Sequence, residues 1–191
     1  MSFYFKPFPT VRYSQKKNNN FELLTNITLR YKIKELVKRR KSIYYDYVVK
    51  DSDRPDIIAY KYYDDETLDW ILFLINDIID PYYDWPLTQE GFNAYMKSLY
   101  GSVSASQTTI YEYRKILRAQ SVRNDGTVIP KRTVVVDLNT YNSLVATDRE
   151  IVYAYDYYLE QNDAKRRIKI LDKRFVSQLI RDVEVIFSEI E

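Results

Sequence analysis

The chain contains no cysteine and no histidine, and only three glycines, Gly91, Gly101 and Gly126. Without cysteine there is no disulfide and no thiolate chemistry. Without histidine, the usual general base near neutral pH and the commonest metal ligand are gone. Three dispersed glycines cannot form a phosphate-cradling loop. Nucleophilic triads, zinc hydrolysis and P-loop chemistry are excluded, and no cofactor or metal is expected. The formal net charge of +2 gives little steering toward nucleic acid or membrane. The longest strongly apolar run, Trp70 to Ile75, falls far short of the roughly 20 residues that span a bilayer. The opening MSFYFKPFPT is interrupted by Pro7 and Pro9, so no secretion signal is expected.

One residue type is in excess. There are 20 tyrosines, several in doublets: Tyr44-Tyr45, Tyr62-Tyr63, Tyr82-Tyr83 and Tyr157-Tyr158. Tyrosine combines a large contact area with a polar tip and is enriched at protein interfaces. With 46% hydrophobic and 29% charged residues over 191 positions, a buried core is within reach.

The chain reads as an α+β protein in three segments: 1–41, 42–101 and 102–191. The first is an arm bearing Phe3, Phe5 and Phe8 between prolines. Leu29, Ile33, Leu36 and Val37 then have helical spacing, predicting a helix near 27–40. It ends in the basic run Lys38 to Lys41, which suits a helix C-terminus. Residues 42–51 are β-branched and aromatic and predict a strand. Asp53 and Pro55 mark a helix start. Asp64, Asp65 and Glu66 read as capping residues before a second helix, Leu68 to Asn76, apolar almost all round and therefore buried. Thr88 and Gly101 bound a third helix, 89–100.

Beyond Gly101 the pattern turns to strand. Thr108–Val122 and Val128–Leu138 flank Asn124-Asp125-Gly126 and predict a hairpin. Residues 151–171 read as strand, loop or helical turn, then strand, with Tyr153, Tyr155 and Tyr157 alternating. Asp172 caps a C-terminal amphipathic helix carrying Phe175, Val176, Leu179, Ile180, Val183, Ile186, Phe187 and Ile190.

The stretch INDIIDPYYDW, 75–85, combines aromatics with acids and prolines. Asp77 and Asp80 read as turn and cap residues, and the Asp80 carboxylate, before Pro81, can satisfy nearby backbone donors. Pro81 and Pro86 stiffen the segment carrying Tyr82, Tyr83 and Trp85, and stiffness lowers the entropy lost on docking.

Tyr47-Val48-Val49-Lys50-Asp51, then Asp53 to Ala59, then Lys61-Tyr62-Tyr63, resemble the opening of a LysM module, and Leu72 to Asn76 stands where its second helix ends in Asn. The glycine of a LysM first turn is replaced by Ser52-Asp53-Arg54, and Pro81 to Leu87 stands where its second strand would be. The whole set, Tyr45-Asp46-Tyr47, Arg54-Pro55-Asp56-Ile57-Ile58-Ala59, Trp70 and Asn76 to Pro86, resembles the LysM-like baseplate wedge protein of contractile-tailed bacteriophages. The Thr25-Asn26-Ile27 stretch and Glu160 to Leu171 resemble that family too. The match is dense over 42–90 and sparse elsewhere. It implies a structural, non-catalytic protein of the virion tail baseplate, assembled in the host cytoplasm and present in multiple copies. Such a protein joins neighbouring wedges into the ring around the tail hub. Its implied partners are other wedge proteins, with hub or sheath-proximal proteins beside them. Trp, Tyr and Arg anchors carry most interface energy. The interface candidates are Phe3, Phe5, Phe8, Trp70, Asn76, Asp80, Tyr82, Tyr83 and Trp85. Trp70, on an apolar helix, also fits a plain core position.

Three other readings compete. A peptidoglycan-binding module would use aromatics beside carboxylates. A glycoside hydrolase would need two carboxylates from Asp77, Asp80 and Asp84. RNA binding would use the basic runs Lys38–Lys41 and Lys165–Arg167, with steep salt dependence.

Overall fold

The strand read at 42–51 forms as β3, Tyr44–Val48, and its partner comes from near the other end of the chain. In the computed structural model, described for residue 5 and for residues 8–14, 21–29, 32–33 and 41–188, β3 pairs antiparallel with β9, Arg167–Leu171, in the register Tyr44↔Leu171 to Val48↔Arg167. The chain is mixed α and β, as its composition and periodicity indicate. It forms two compact units, residues 1–86 with 165–191, and residues 87–164. These boundaries are not those of the segments 1–41, 42–101 and 102–191, because the strand pairing that closes the first unit skips over the second.

In the first unit, β1, Thr10–Tyr13, and β2, Glu22–Thr25, make an antiparallel hairpin whose strand residues are all exposed. Of the helix expected at 27–40, residues 27–28 form a turn and 29, 32 and 33 carry no regular structure. The remainder, with the basic run Lys38–Arg40, lies outside the described residues. Helix α1, Pro55–Tyr63, starts at its proline, where a missing N–H costs nothing. Asp53 is not its cap. Arg54 holds that position without a side-chain cap bond. The buried Asp53 carboxylate instead accepts the Tyr47 hydroxyl at 2.6 Å and the Lys50 N–H at 3.0 Å, with Lys61 at 3.6 Å. Asp65 does cap, accepting the Thr67 N–H at 2.9 Å at the head of a short 3₁₀ turn.

Helix α2, Asp69–Ile75, buries Trp70, Ile71, Leu72 and Ile75. After a single helical turn, α3, Pro81–Asp84, the chain leaves this unit and returns at Lys165. The last helix, α8, Lys173–Ser188, opens with the Asp172 carboxylate accepting the Arg174 N–H at 3.0 Å. It lays Val176, Val183 and Phe187 into the core with Ile58, Ile71, Leu72 and Ile170. Ile186, expected on that face, is exposed, and Ile190 lies outside the described residues. Truncating a buried Ile or Leu in such a core to Ala costs about 2–5 kcal/mol.

The second unit begins with α4, Gln89–Tyr100, capped by Thr88, whose hydroxyl accepts the Gly91 N–H at 3.1 Å. Gly101 ends the helix at φ 80°, a backbone angle that favours glycine. Helix α5, Val103–Thr108, follows. The expected hairpin is present as β4, Ile110–Arg118, and β7, Arg132–Val136, extended by the two-residue strands β5, Ser121–Val122, and β6, Val128–Ile129. Between β5 and β6, Gly126 takes φ 80° at the turn. The one-turn α6, Leu138–Ser143, is capped by Asp137. A third strand, β8, Arg149–Tyr153, makes the order β7-β4-β8. Residues 154–165 form a full helix, α7, where the sequence reads as a loop or helical turn between two strands, and those strands are β8 and β9. Its Tyr155 and Tyr158 meet Phe92 and Tyr95 of α4 edge-on, with ring centroids 5.2 and 5.8 Å apart. Residues three apart on each helix share a face, so these pairs seat one helix on the other.

Candidate protein-contact site

The stretch 75–86 is held by its own polar groups. Asn76 ends α2, its N–H donating to the Leu72 carbonyl at 3.2 Å. Its side-chain amide donates to the carbonyls of Leu72 and Lys169 at 2.8 and 2.9 Å. Its carbonyl oxygen accepts the Lys169 N–H at 2.8 Å. Asn76 therefore pairs with Lys169 much as a neighbouring strand would, and ties α2 to β9. Asp77 turns the chain at φ 56°, a left-handed angle that aspartate tolerates better than most residues. The Ile78 N–H then reaches the Phe73 carbonyl at 2.9 Å.

Two aspartates fix α3. Asp80 caps it, accepting the Tyr82 N–H at 3.0 Å. Asp84 reaches back to the N–H groups of Ile79 and Asp80 at 3.0 and 3.1 Å. Those N–H groups, with Lys165 nearby, hold the Asp84 carboxyl below the usual carboxylate range. Lys165 donates to the Tyr83 carbonyl. Asp80 and Asp84 are thus occupied with backbone donors, while the Asp77 carboxylate lies 4.0 Å from the Lys32 ammonium.

The aromatics divide. Trp85 turns inward, its ring edge-on to Phe73 at 6.2 Å and its indole N–H donating to the Asp53 carbonyl at 3.3 Å. Tyr82 and Tyr83 turn outward, 87% and 73% exposed, with Ile79 beside them in sequence at 69%. Ile79 therefore does not pack under α2, while Ile78 is half-buried. The result is a small apolar knob on a turn whose backbone N–H groups are already engaged. Each tyrosine carries about 150–250 Å² of surface to bury, worth roughly 2 kcal/mol or more once covered.

A family model described as base plate wedge protein 53 matches residues 3–186, nearly the whole chain. The chain belongs to this family. It is also 26% identical over 195 residues to the baseplate wedge protein gp53 of Enterobacteria phage T4, covering 94% of this chain and 92% of that one. The protein is a structural component of a phage tail baseplate wedge, and its partners are other baseplate proteins.

The remaining candidates of this wedge protein sit apart from the knob. Phe8 is buried and packs on Phe187 of α8, with ring centroids 4.5 Å apart and planes tilted by 32°. Phe5 is half exposed and meets Phe8 edge-on at 5.3 Å. Phe3 lies outside the described residues. Trp70 is a core side chain of α2. Of the second basic run, Lys165 serves Tyr83 as above, and Arg166 bonds the Val49 carbonyl at 3.4 Å and Asp51 at 3.3 Å. These cations hold the first unit together. Two features escaped the sequence reading. One is the strand-like pairing of Asn76. The other is the Asn162 amide, which accepts the Leu87 N–H at 2.7 Å and donates to the Leu87 carbonyl at 3.1 Å. Each pairing joins residues far apart in the chain, so no local pattern announces it.

Proposed function

We propose that this chain joins neighbouring wedge subunits into the ring around the tail hub, without catalysing a reaction. The knob of Ile79, Tyr82 and Tyr83 is its contact to another wedge protein. The observation that carries this reading is the pairing of high exposure with a rigid base: two nearly uncovered tyrosines on a turn fixed by Asp80, Asp84 and Lys165. A rigid aromatic pair loses little entropy on docking, and large exposed apolar groups mark interaction sites. The exposed hairpin of β1 and β2, with Val11, Leu23 and Phe21 uncovered, makes a second contact. It reaches a hub or sheath-proximal protein. An isolated two-stranded hairpin is only marginally stable in water.

In this reading the first unit is a LysM-like core, strand, two helices and strand, with residues 87–164 inserted before its last strand. It occurs in multiple copies within a symmetric assembly put together in the host cytoplasm. Co-elution of the purified chain with the neighbouring wedge proteins on size-exclusion chromatography tests the role. Association is expected. Failure to associate with any of them, or retention on insoluble peptidoglycan in its place, would refute it.

A further inference from the structure

The second unit contains a tyrosine pair that lies outside both the knob and the β1–β2 hairpin. Tyr111 of β4 and Tyr157 of α7 stack with ring centroids 3.9 Å apart and planes inclined by 20°. Rings stacked face to face at that distance bring their carbon atoms close to van der Waals contact. The other rings of this cluster do not meet in that way. Tyr158 contacts Tyr95, Tyr100, Tyr111 and Tyr157 edge-on, at 5.4–6.4 Å and 62–87°. Tyr113 and Tyr141 are tilted by 44° at 4.8 Å.

We propose that Tyr111 and Tyr157 form an oxidative coupling site, at which a carbon–carbon dityrosine bond can join β4 to α7. The oxidant is hydrogen peroxide acting through a one-electron-oxidising haem. Each phenol gives up one electron and one proton and becomes a phenoxyl radical. The two radicals join through one ortho carbon each. The hydrogen on each joined carbon then moves to the oxygen and restores the aromatic ring. Two hydrogens are lost in all, and one peroxide is reduced to two waters. Reaction between held groups is favoured when the reacting atoms already lie about 3–3.5 Å apart and aligned, and the stack approaches that arrangement. Tyr111 is part exposed, so an oxidant can reach it. In a chain without cysteine, this is a covalent staple available to a protein that cannot form a disulfide.

The intact protein, kept dilute, is treated with a plant peroxidase and hydrogen peroxide. It is then read by dityrosine fluorescence and by mass spectrometry of the digested monomer. The expected product is a monomer lighter by two hydrogens, with the peptides of Tyr111 and Tyr157 joined. Tyr111→Phe and Tyr157→Phe keep the rings but cannot form a phenoxyl radical, so each should abolish this link while the circular dichroism spectrum stays unchanged. No coupling within the monomer, coupling at another tyrosine pair, or undiminished monomer fluorescence in Y111F would overturn the proposal.

Discussion

Replacing Asn76 by Ala should loosen the first unit from within. The wild-type side chain makes three hydrogen bonds, to the Leu72 carbonyl and to both backbone groups of Lys169, at 2.8, 2.9 and 2.8 Å. A neutral hydrogen bond contributes about 0.5–1.5 kcal/mol net. The site is part exposed, so water can replace some of what is lost, and the expected cost is about 1.5–3 kcal/mol. For a chain of this size, each kcal/mol lowers the melting temperature by about 2–4 °C, giving a fall of about 3–12 °C. Thermal unfolding followed by circular dichroism measures that fall. Amide hydrogen exchange locates it, because Lys169 loses the acceptor for its N–H and should exchange faster, while amides of α4 in the second unit keep their rates. Asn76→Asp retains an acceptor for the Lys169 N–H but loses both donor bonds, so its Lys169 amide should remain the better protected of the two variants. An unchanged melting temperature with a still-protected Lys169 amide in N76A would refute the strand-like role assigned to this side chain.

Trp85→Ala should act on folding more than on assembly. It loses the edge contact to Phe73 and the bond to the Asp53 carbonyl, and a cost of about 2–4 kcal/mol is expected for a half-buried aromatic, checked by urea unfolding. The Tyr47–Asp53 pair predicts an alkaline transition. Burial first, then the bond to Asp53, raises the Tyr47 phenol to about 12. A raised folded value means that this stabilisation is complete below the unfolded value of about 10 and is lost as pH climbs through 12. Tyr47→Phe should flatten that loss in stability measured between about pH 10 and 12.

What could be read in the sequence was whatever lay within one turn of its own signal. Thr88 and Gly101 bound their helix because a hydroxyl three residues from an N–H, and a glycine at positive φ, act locally. Asp65, Asp80 and Asp172 were legible as caps for the same reason. Asp53 and Pro55 do mark a helix start, but the Asp53 carboxylate serves a tyrosine on the preceding strand, a contact that helix-start rules do not contain. The tyrosines at 153, 155 and 157 alternate by chance of position. The informative spacing was three, Tyr155 to Tyr158 against Phe92 to Tyr95. The pairing of β3 with β9 left no local trace, since side chains suited to a strand do not say which strand they will face. Of the site, the role of the acids was readable from turn chemistry. The opposite directions of Trp85 and of the Tyr82-Tyr83 pair were not, because periodicity is undefined over a single turn between prolines.

The central claim is that Tyr82 and Tyr83 face a partner. The direct measurement is binding of the Tyr82→Ala, Tyr83→Ala double variant to neighbouring wedge proteins, by co-elution and titration calorimetry, beside its urea unfolding curve. The account predicts wedge binding weakened by about 2 kcal/mol or more, with unfolding stability within about 0.5 kcal/mol of wild type, as for other exposed positions. Unchanged binding together with a clear loss of stability would contradict it and make the two tyrosines part of the fold.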